Sequence, residues 1–181
     1  MRRGEDARHQ AFPAGVSGVE AAVFCSSSEA IAPVYITAAG ELGEAIAREG
    51  WDLVYGGNDL GAMGALADAC RSAGGKVIGI TPQLFVDKGF ADNRCAQLII
   101  TPDMRSRKAR MEEMADGFIA LPGGFGTLEE VSEIIVGRLL KCHAKPVILL
   151  NVAGFYTPLV DFFEKMIEGG FAKAKARQGY V

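Results

Sequence analysis

The sequence predicts an α/β fold, a single domain built on a parallel sheet with helices on both faces. From Val19 onward, short apolar runs rich in β-branched and aromatic residues alternate with longer stretches of helical periodicity, which is the rhythm of βαβ units. The runs are nearly continuous in apolar character, as strands covered on both faces require. A chain of 181 residues, 49% hydrophobic and 23% charged, is long enough for one proper core and short for two.

The elements follow in order. Residues 1–17 are polar and turn-rich and read as a disordered tail ahead of one domain over 18–181. Strands are expected at Val19–Cys25, Asp52–Tyr55, Lys76–Ile80, Gln97–Ile100, Gly117–Leu121 and Pro146–Asn151. The intervening helices are expected at Ala30–Glu49, Leu60–Ser72, Asp103–Ala115, Thr127–Lys141 and Tyr156–Glu168, with Gly50 and Gly74-Gly75 as stops. Thr81–Arg94 is less regular, and Ala172–Arg177 carries three basic residues without a strand pattern. No internal repeat or linker interrupts the series.

Composition removes several classes of function. A formal charge of −3 provides no overall drive toward nucleic acid or an anionic membrane. No apolar run reaches the roughly 18 residues of a spanning helix, and the opening MRRGEDARHQAFPAG lacks the apolar stretch of a signal peptide, so a cytoplasmic protein is expected. Cys25, Cys70, Cys95 and Cys142 are widely spaced with no C-x-x-C, which points to reduced thiols rather than disulfides or zinc. With His9 and His143 the only histidines, neither a Ser-His-Asp triad nor a His-rich metal site has its material.

In an open parallel sheet the ligand crevice lies beyond the carboxyl ends of the strands, where strand order reverses. The loops at that edge are therefore decisive. After the first strand stands CSSSEA, with none of the glycines of a dinucleotide fingerprint, and Gly75-Lys76 runs into Val77, so no Walker loop is present. Two other loops are glycine-rich. LPGGFGTLEE, residues 121–130, exposes backbone N–H groups at Gly123, Gly124 and Gly126 just ahead of a helix, the setting in which an anion such as phosphate is held. YGGNDLGAMG, residues 55–64, repeats the design with Gly56, Gly57 and Asn58. Each loop is equally consistent with a tight turn that packs helix on sheet. Thr127-Leu-Glu-Glu130 also fits a capping box, in which Glu130 would only satisfy the Thr127 N–H.

On the helix that follows Thr101-Pro102, Met104, Met111, Met114 and Ala115 define an apolar stripe at 100° per residue. Arg107 and Lys108 fall on or beside it, whereas Arg105, Arg110, Glu112 and Glu113 lie on the outer arc. Two cations thus point toward the crevice, where an anion held by the glycine loops would pair with them; snorkelling to solvent is the alternative. Ser27, with Ser26 and Ser28, either contacts a ligand or caps the next helix.

These residues resemble the LOG family, the cytokinin riboside 5′-monophosphate phosphoribohydrolases, often mislabelled lysine decarboxylases. The likeness covers most of Val19–Glu168. It rests on PGGxGTxxE at Pro122, Gly123, Gly124, Gly126, Thr127 and Glu130, on Arg107-Lys108, and on Gly56, Gly57, Gly61, Met63 and Gly64, all in order. The resemblance implies a Rossmann-like homodimer that hydrolyses the N-glycosidic bond of a purine nucleoside 5′-monophosphate, AMP or a cytokinin-type nucleotide, without a cofactor. Carried over position by position, Arg107 and Glu130 are the catalytic pair, the glycines and Thr127 surround the phosphate, and Met104 and Lys108 lie near the nucleotide. Arg105-Ser106 replace the His-Glu usual in relatives, and Gly89 and Asp92 stand where an acidic residue and a histidine are common, which bears on base choice. The chain ends at Val181, short of the further strand and helix many relatives carry. Two other readings remain: a carrier or sensor that binds a nucleotide or a molybdenum cofactor without turnover, and a pyridoxal-dependent decarboxylase.

Overall fold

The structure, a computed structural model, describes residues 18–181, so the expected tail lies outside the described residues. Six parallel strands, β1 (Glu20–Phe24), β2 (Asp52–Tyr55), β3 (Val77–Pro82), β4 (Gln97–Thr101), β5 (Gly117–Ala120) and β6 (Val147–Leu149), form one sheet in the order β4-β3-β2-β1-β5-β6. Between them run α1 (Pro33–Arg48), α2 (Gly61–Ser72), α3 (Gln83–Asp87), α4 (Met104–Met114) and α5 (Phe125–Leu139); α6 (Thr157–Glu168) follows β6.

Alternation along each strand builds two apolar layers. Ala21, Val23, Leu53, Tyr55, Val77 and Ile119 point to one face, where Ala39 and Ile46 of α1 and Leu66 and Cys70 of α2 cover them. Ala22, Phe24, Val54, Ile78, Phe118 and Val147 point to the other, against Met111 of α4 and Val131, Ile134 and Ile135 of α5. The expected parallel sheet with helices on both faces is what forms. On the first face α1 and α2 touch backbone to backbone, because a Cβ on Gly43 would collide with the Leu66 carbonyl.

Several boundaries shift for local reasons. The residue before a proline is biased to extended backbone, and Ala32 (φ −61°, ψ 145°) duly delays α1 from residue 30 to Pro33. β3 runs two residues past Ile80, and the irregular stretch after it contains α3. α5 begins at Phe125 with Gly124 at its N-cap, two residues ahead of the expected Thr127. The Gly50 and Gly74 stops hold, at φ 71° and 83°, and the 172–177 region runs into a short 3-10 turn, Ala174–Gly179. Val181 then pairs with β6, donating to the Val147 carbonyl at 2.9 Å and accepting from the Leu149 N–H at 2.8 Å.

All four cysteines are free. Among the described residues no helix is long and apolar enough to cross a membrane, and no cluster of His, Cys, Asp and Glu is arranged for a metal. His143 serves packing: its Nε2 lies 3.0 Å from the Ile134 carbonyl and its ring 5.7 Å from that of Phe118.

Candidate active site

Strand order reverses between β1 and β5, so the crevice opens beyond their carboxyl ends. A cleft of about 330 Å³ lies there. Ser26, Ser27 and Ser28 from the β1 loop and Gly124, Gly126 and Thr127 from the start of α5 give it a polar side, with Arg107 and Glu130. Met63, Phe85 and Met104 give it an apolar side.

The structure brings Arg107 and Glu130 together. Their side chains are 4% and 6% exposed, and Arg107 Nη1 donates to Glu130 Oε1. Arg107 Nε also donates to the Ile80 carbonyl at 3.0 Å, which fixes the guanidinium plane from the sheet side. Burial pushes the Glu130 carboxyl above the ordinary range and the Arg107 charge opposes that push without cancelling it. The adjoining Cys25 thiol, at the end of β1, is pushed up by burial and by the Glu130 charge, so it is an inert wall of the cleft and no nucleophile.

The capping box does not form. With Gly124 at the N-cap, Thr127 is the third residue of α5, and the Glu130 side chain is held by Arg107 instead of the Thr127 N–H. The N-terminus of α5 is consequently uncapped by any side chain. Its first intrahelical bond is donated by Leu128 to the Gly124 carbonyl, which leaves the N–H groups of Phe125, Gly126 and Thr127 free of helical partners at the cleft.

The two glycine loops separate on steric grounds. A Cβ on Gly56 would strike the Arg107 guanidinium, and one on Gly61, at φ 57°, would strike the Ser28 carbonyl. Gly57 sits at φ 68° and its carbonyl accepts from the Asp92 N–H at 2.8 Å. Asn58 Oδ1 accepts from the Leu60 N–H at 2.8 Å and shapes the turn into α2. Packing accounts for the glycines of the second-strand loop: Gly56 leaves room for the Arg107 guanidinium, and Gly56, Gly57 and Asn58 are not among the residues lining this cleft. Gly123 also has a packing reason, since a Cβ there would collide with the Thr127 hydroxyl. Gly124 and Gly126 have none: a Cβ on either meets nothing within 4 Å. They line open space, which is what close approach of a ligand to backbone needs.

Lys108 reaches across to α5. Its Nζ lies 2.7 Å from Glu133 Oε2 and also bonds Glu129 Oε1, both on α5, and it does not line the cleft. Arg107 alone turns inward. Asp92 is a structural anchor: it is 1% exposed, accepts from the Tyr55 hydroxyl at 2.8 Å and the Arg94 N–H at 3.0 Å, and pairs with Arg71 at 3.0 Å. Burial alone would raise its carboxyl, but these bonds hold it below the usual range. Gly89, at φ 74°, makes the turn in the same loop, and Arg105 lies on the exposed face of α4. Phe85 is the cleft residue that the sequence reading missed; it sits in the stretch without periodicity and packs on Phe90 with ring centroids 6.3 Å apart.

With this geometry the comparisons are direct. A family model described as possible lysine decarboxylase matches residues 63–181. The cytokinin riboside 5′-monophosphate phosphoribohydrolase LOG5 of Arabidopsis thaliana is 43% identical over 159 residues, 88% of this chain and 70% of that protein. The chain belongs to the LOG family. The probable enzyme of the same activity LOGL2 of rice, Oryza sativa subsp. japonica, is also 43% identical, over 86% of this chain, which spans 64% of that protein's length. Among solved structures, the molybdenum cofactor carrier protein of Chlamydomonas reinhardtii aligns with a TM-score of 0.65 and 28% identity over 84% of this chain and 86% of that one. The LOG family reading and the six-stranded Rossmann-like fold thus agree with what the residues predicted.

Proposed function

We propose that this chain hydrolyses the N-glycosidic bond of a purine nucleoside 5′-monophosphate, giving free base and ribose 5-phosphate. One observation carries the reading: a buried Arg107–Glu130 pair opens onto a cleft whose other polar wall is the uncapped N-terminus of α5. Relatives named for this activity support it. The substrate's phosphate lies on the N–H groups of residues 125–127, where Gly124 and Gly126 let it approach and the helix dipole favours it. The base lies along Phe85, Met63 and Met104, and Ser27 borders the ribose.

In that pose the chemistry needs no cofactor. As the C–N bond breaks, its electron pair stays on the base and positive charge grows on the ribose ring. Glu130, as a carboxylate, stabilises that charge and takes a proton from the water that bonds to C1′; the leaving base takes a proton from solvent and Glu130 releases its own to solvent, so that one water is added across the bond. Arg107, as a permanently charged residue type, orients Glu130 and compensates negative charge instead of giving up a proton. Replacing Glu130 with Gln should lower turnover by about 10²–10⁴-fold while nucleotide binding, read by calorimetry, persists. Unchanged turnover would remove Glu130 from the mechanism.

The reading includes a cytoplasmic homodimer. Four free thiols suit a reducing compartment. A groove of about 410 Å³ between α5 and α6 exposes Val136 (51%) and Phe162 (56%), a surface of the kind that a second copy covers. The carrier neighbours favour binding without turnover only through shared fold. Pyridoxal-dependent decarboxylation requires a lysine facing the cleft, and no lysine is among the described residues that line it.

A further inference from the structure

We infer that Asp92 is the positioning residue for the base-side wall of the cleft: it holds the segment that carries Phe85, and so governs how tightly the base is gripped and not how fast the bond breaks. The inference deepens the proposed hydrolysis and rests on it for its kinetic form. Residues 83–96 leave the sheet at the end of β3 and rejoin it at β4. No side chain of α3 is buried, and Asp92 is the one buried residue of the whole segment. A stretch with so little apolar burial is held by its polar contacts. Phe85, half-buried, reaches the cleft from this stretch.

A buried carboxylate is costly unless its oxygens are satisfied, and here both are. Oδ2 accepts from the Tyr55 hydroxyl of β2 at 2.8 Å and lies 3.0 Å from Arg71 Nη2 of α2. Oδ1 accepts from the backbone N–H and the Nε of Arg94 at 3.0 and 2.9 Å. Asp92 therefore ties the segment to β2 and α2 at once, and Arg94 adds a pair with Asp68 of α2 at 3.0 Å. The tie reaches Phe85 through short links. The Phe90 N–H donates to the Phe85 carbonyl at 2.9 Å, the two rings pack at 6.3 Å, and Phe90 stands two residues before Asp92. Arg107 does not depend on this tie, since its guanidinium is held by the Ile80 carbonyl and by Glu130. The bond from the Asp92 N–H to the Gly57 carbonyl, 2.8 Å, is made by backbone and survives when the side chain is changed. Asp92→Asn leaves one acceptor oxygen, which can serve the Tyr55–Arg71 side or the Arg94 side and not both.

The test is a double-mutant cycle of Asp92→Asn and Phe85→Ala, each variant checked for a cooperative melt. KM and kcat are measured on AMP, and affinity for ribose 5-phosphate, which has the phosphate and sugar but no base, is measured by calorimetry. Each single variant should raise the KM for AMP about tenfold, the order that loss of an aromatic contact with a base gives, while kcat and ribose 5-phosphate affinity hold. The double variant should be no worse than Phe85→Ala alone, because Asp92 acts through Phe85. Additive effects would make Asp92 independent of Phe85 and overturn the inference. A fall in kcat or in ribose 5-phosphate affinity on Asp92→Asn would do the same, by placing its effect on the Arg107–Glu130 pair or on the fold at large, as would an unmoved KM in either single variant. If Asp92→Asn fails to melt cooperatively, Tyr55→Phe removes one of the same bonds from the β2 side and takes its place in the cycle. Should the wild type not turn AMP over, the hydrolase reading fails by itself, and the same cycle is read in the dissociation constants of AMP and ribose 5-phosphate.

Discussion

Glu130 has opposite consequences for activity and for stability as pH falls. Its folded-state carboxyl titrates above the ordinary 4.5 because burial outweighs the help from Arg107. A group raised in this way binds its proton more readily in the folded than in the unfolded chain, so its contribution to stability grows as pH falls and is lost as pH rises through the folded value. Turnover needs the carboxylate and follows the reverse course. Asp92, held below its ordinary 3.8, contributes stability above that value and loses it only as pH falls further. Acid should therefore inactivate the protein before it loosens the Asp92 loop. A pH–rate profile set beside a pH–melting profile checks this; activity and melting temperature falling together would contradict it. Arg107 was legible in the sequence because helical spacing alone puts it on the apolar stripe of α4. Lys108 was not, since the carboxylates that claim it sit on another helix and only the packing of α4 on α5 shows them. The role of Glu130 was ambiguous for a related reason: a capping box and a buried ion pair use the same residue types, and a two-residue shift in the start of α5 decides between them.

At the scale of elements, the N-terminus of α5 and the loop into α2 look alike as sequence and differ as structure. Glycine in both is a statement that something comes close to backbone; the string of residues does not say whether that something is protein or ligand. At residues 56–64 it is protein, namely Arg107, the Ser28 carbonyl and the turn into α2. At Gly124 and Gly126 it is open space bordering the cleft. A pair of substitutions separates the two uses. Gly126→Ala should leave the melting temperature unchanged or higher, since it adds a better helix former to α5 without a clash, yet should weaken inorganic phosphate and AMP binding. Gly56→Ala should lower both stability and turnover, because its methyl displaces the Arg107 side chain. Equal losses of stability in the two variants would contradict the assignment of the cleft. The strands and long helices were readable from periodicity, whereas α3 was not, because five residues are too few to display a period, and with it Phe85 was missed.

The whole molecule was legible as a class: alternating apolar runs and helices give a parallel sheet, and the reversal of strand order between β1 and β5 sets the crevice. What periodicity could not provide was the partner of the α5–α6 face, since a helix pattern records that a stripe is apolar and not what covers it. If a second copy covers it, sedimentation should give a dimer, and Phe162→Glu should give monomers with the fold intact; a monomeric wild type would contradict the homodimer. Dimer or not, the account turns on one reaction at the Arg107–Glu130 pair. The most direct test is chromatography of the purified protein incubated with AMP and, separately, with isopentenyladenosine monophosphate. The account predicts free base and ribose 5-phosphate in equal amounts from at least one of them, and none when Glu130→Gln replaces the wild type. Intact nucleotides recovered alongside measurable binding would contradict it and leave a protein that holds its ligand without breaking it.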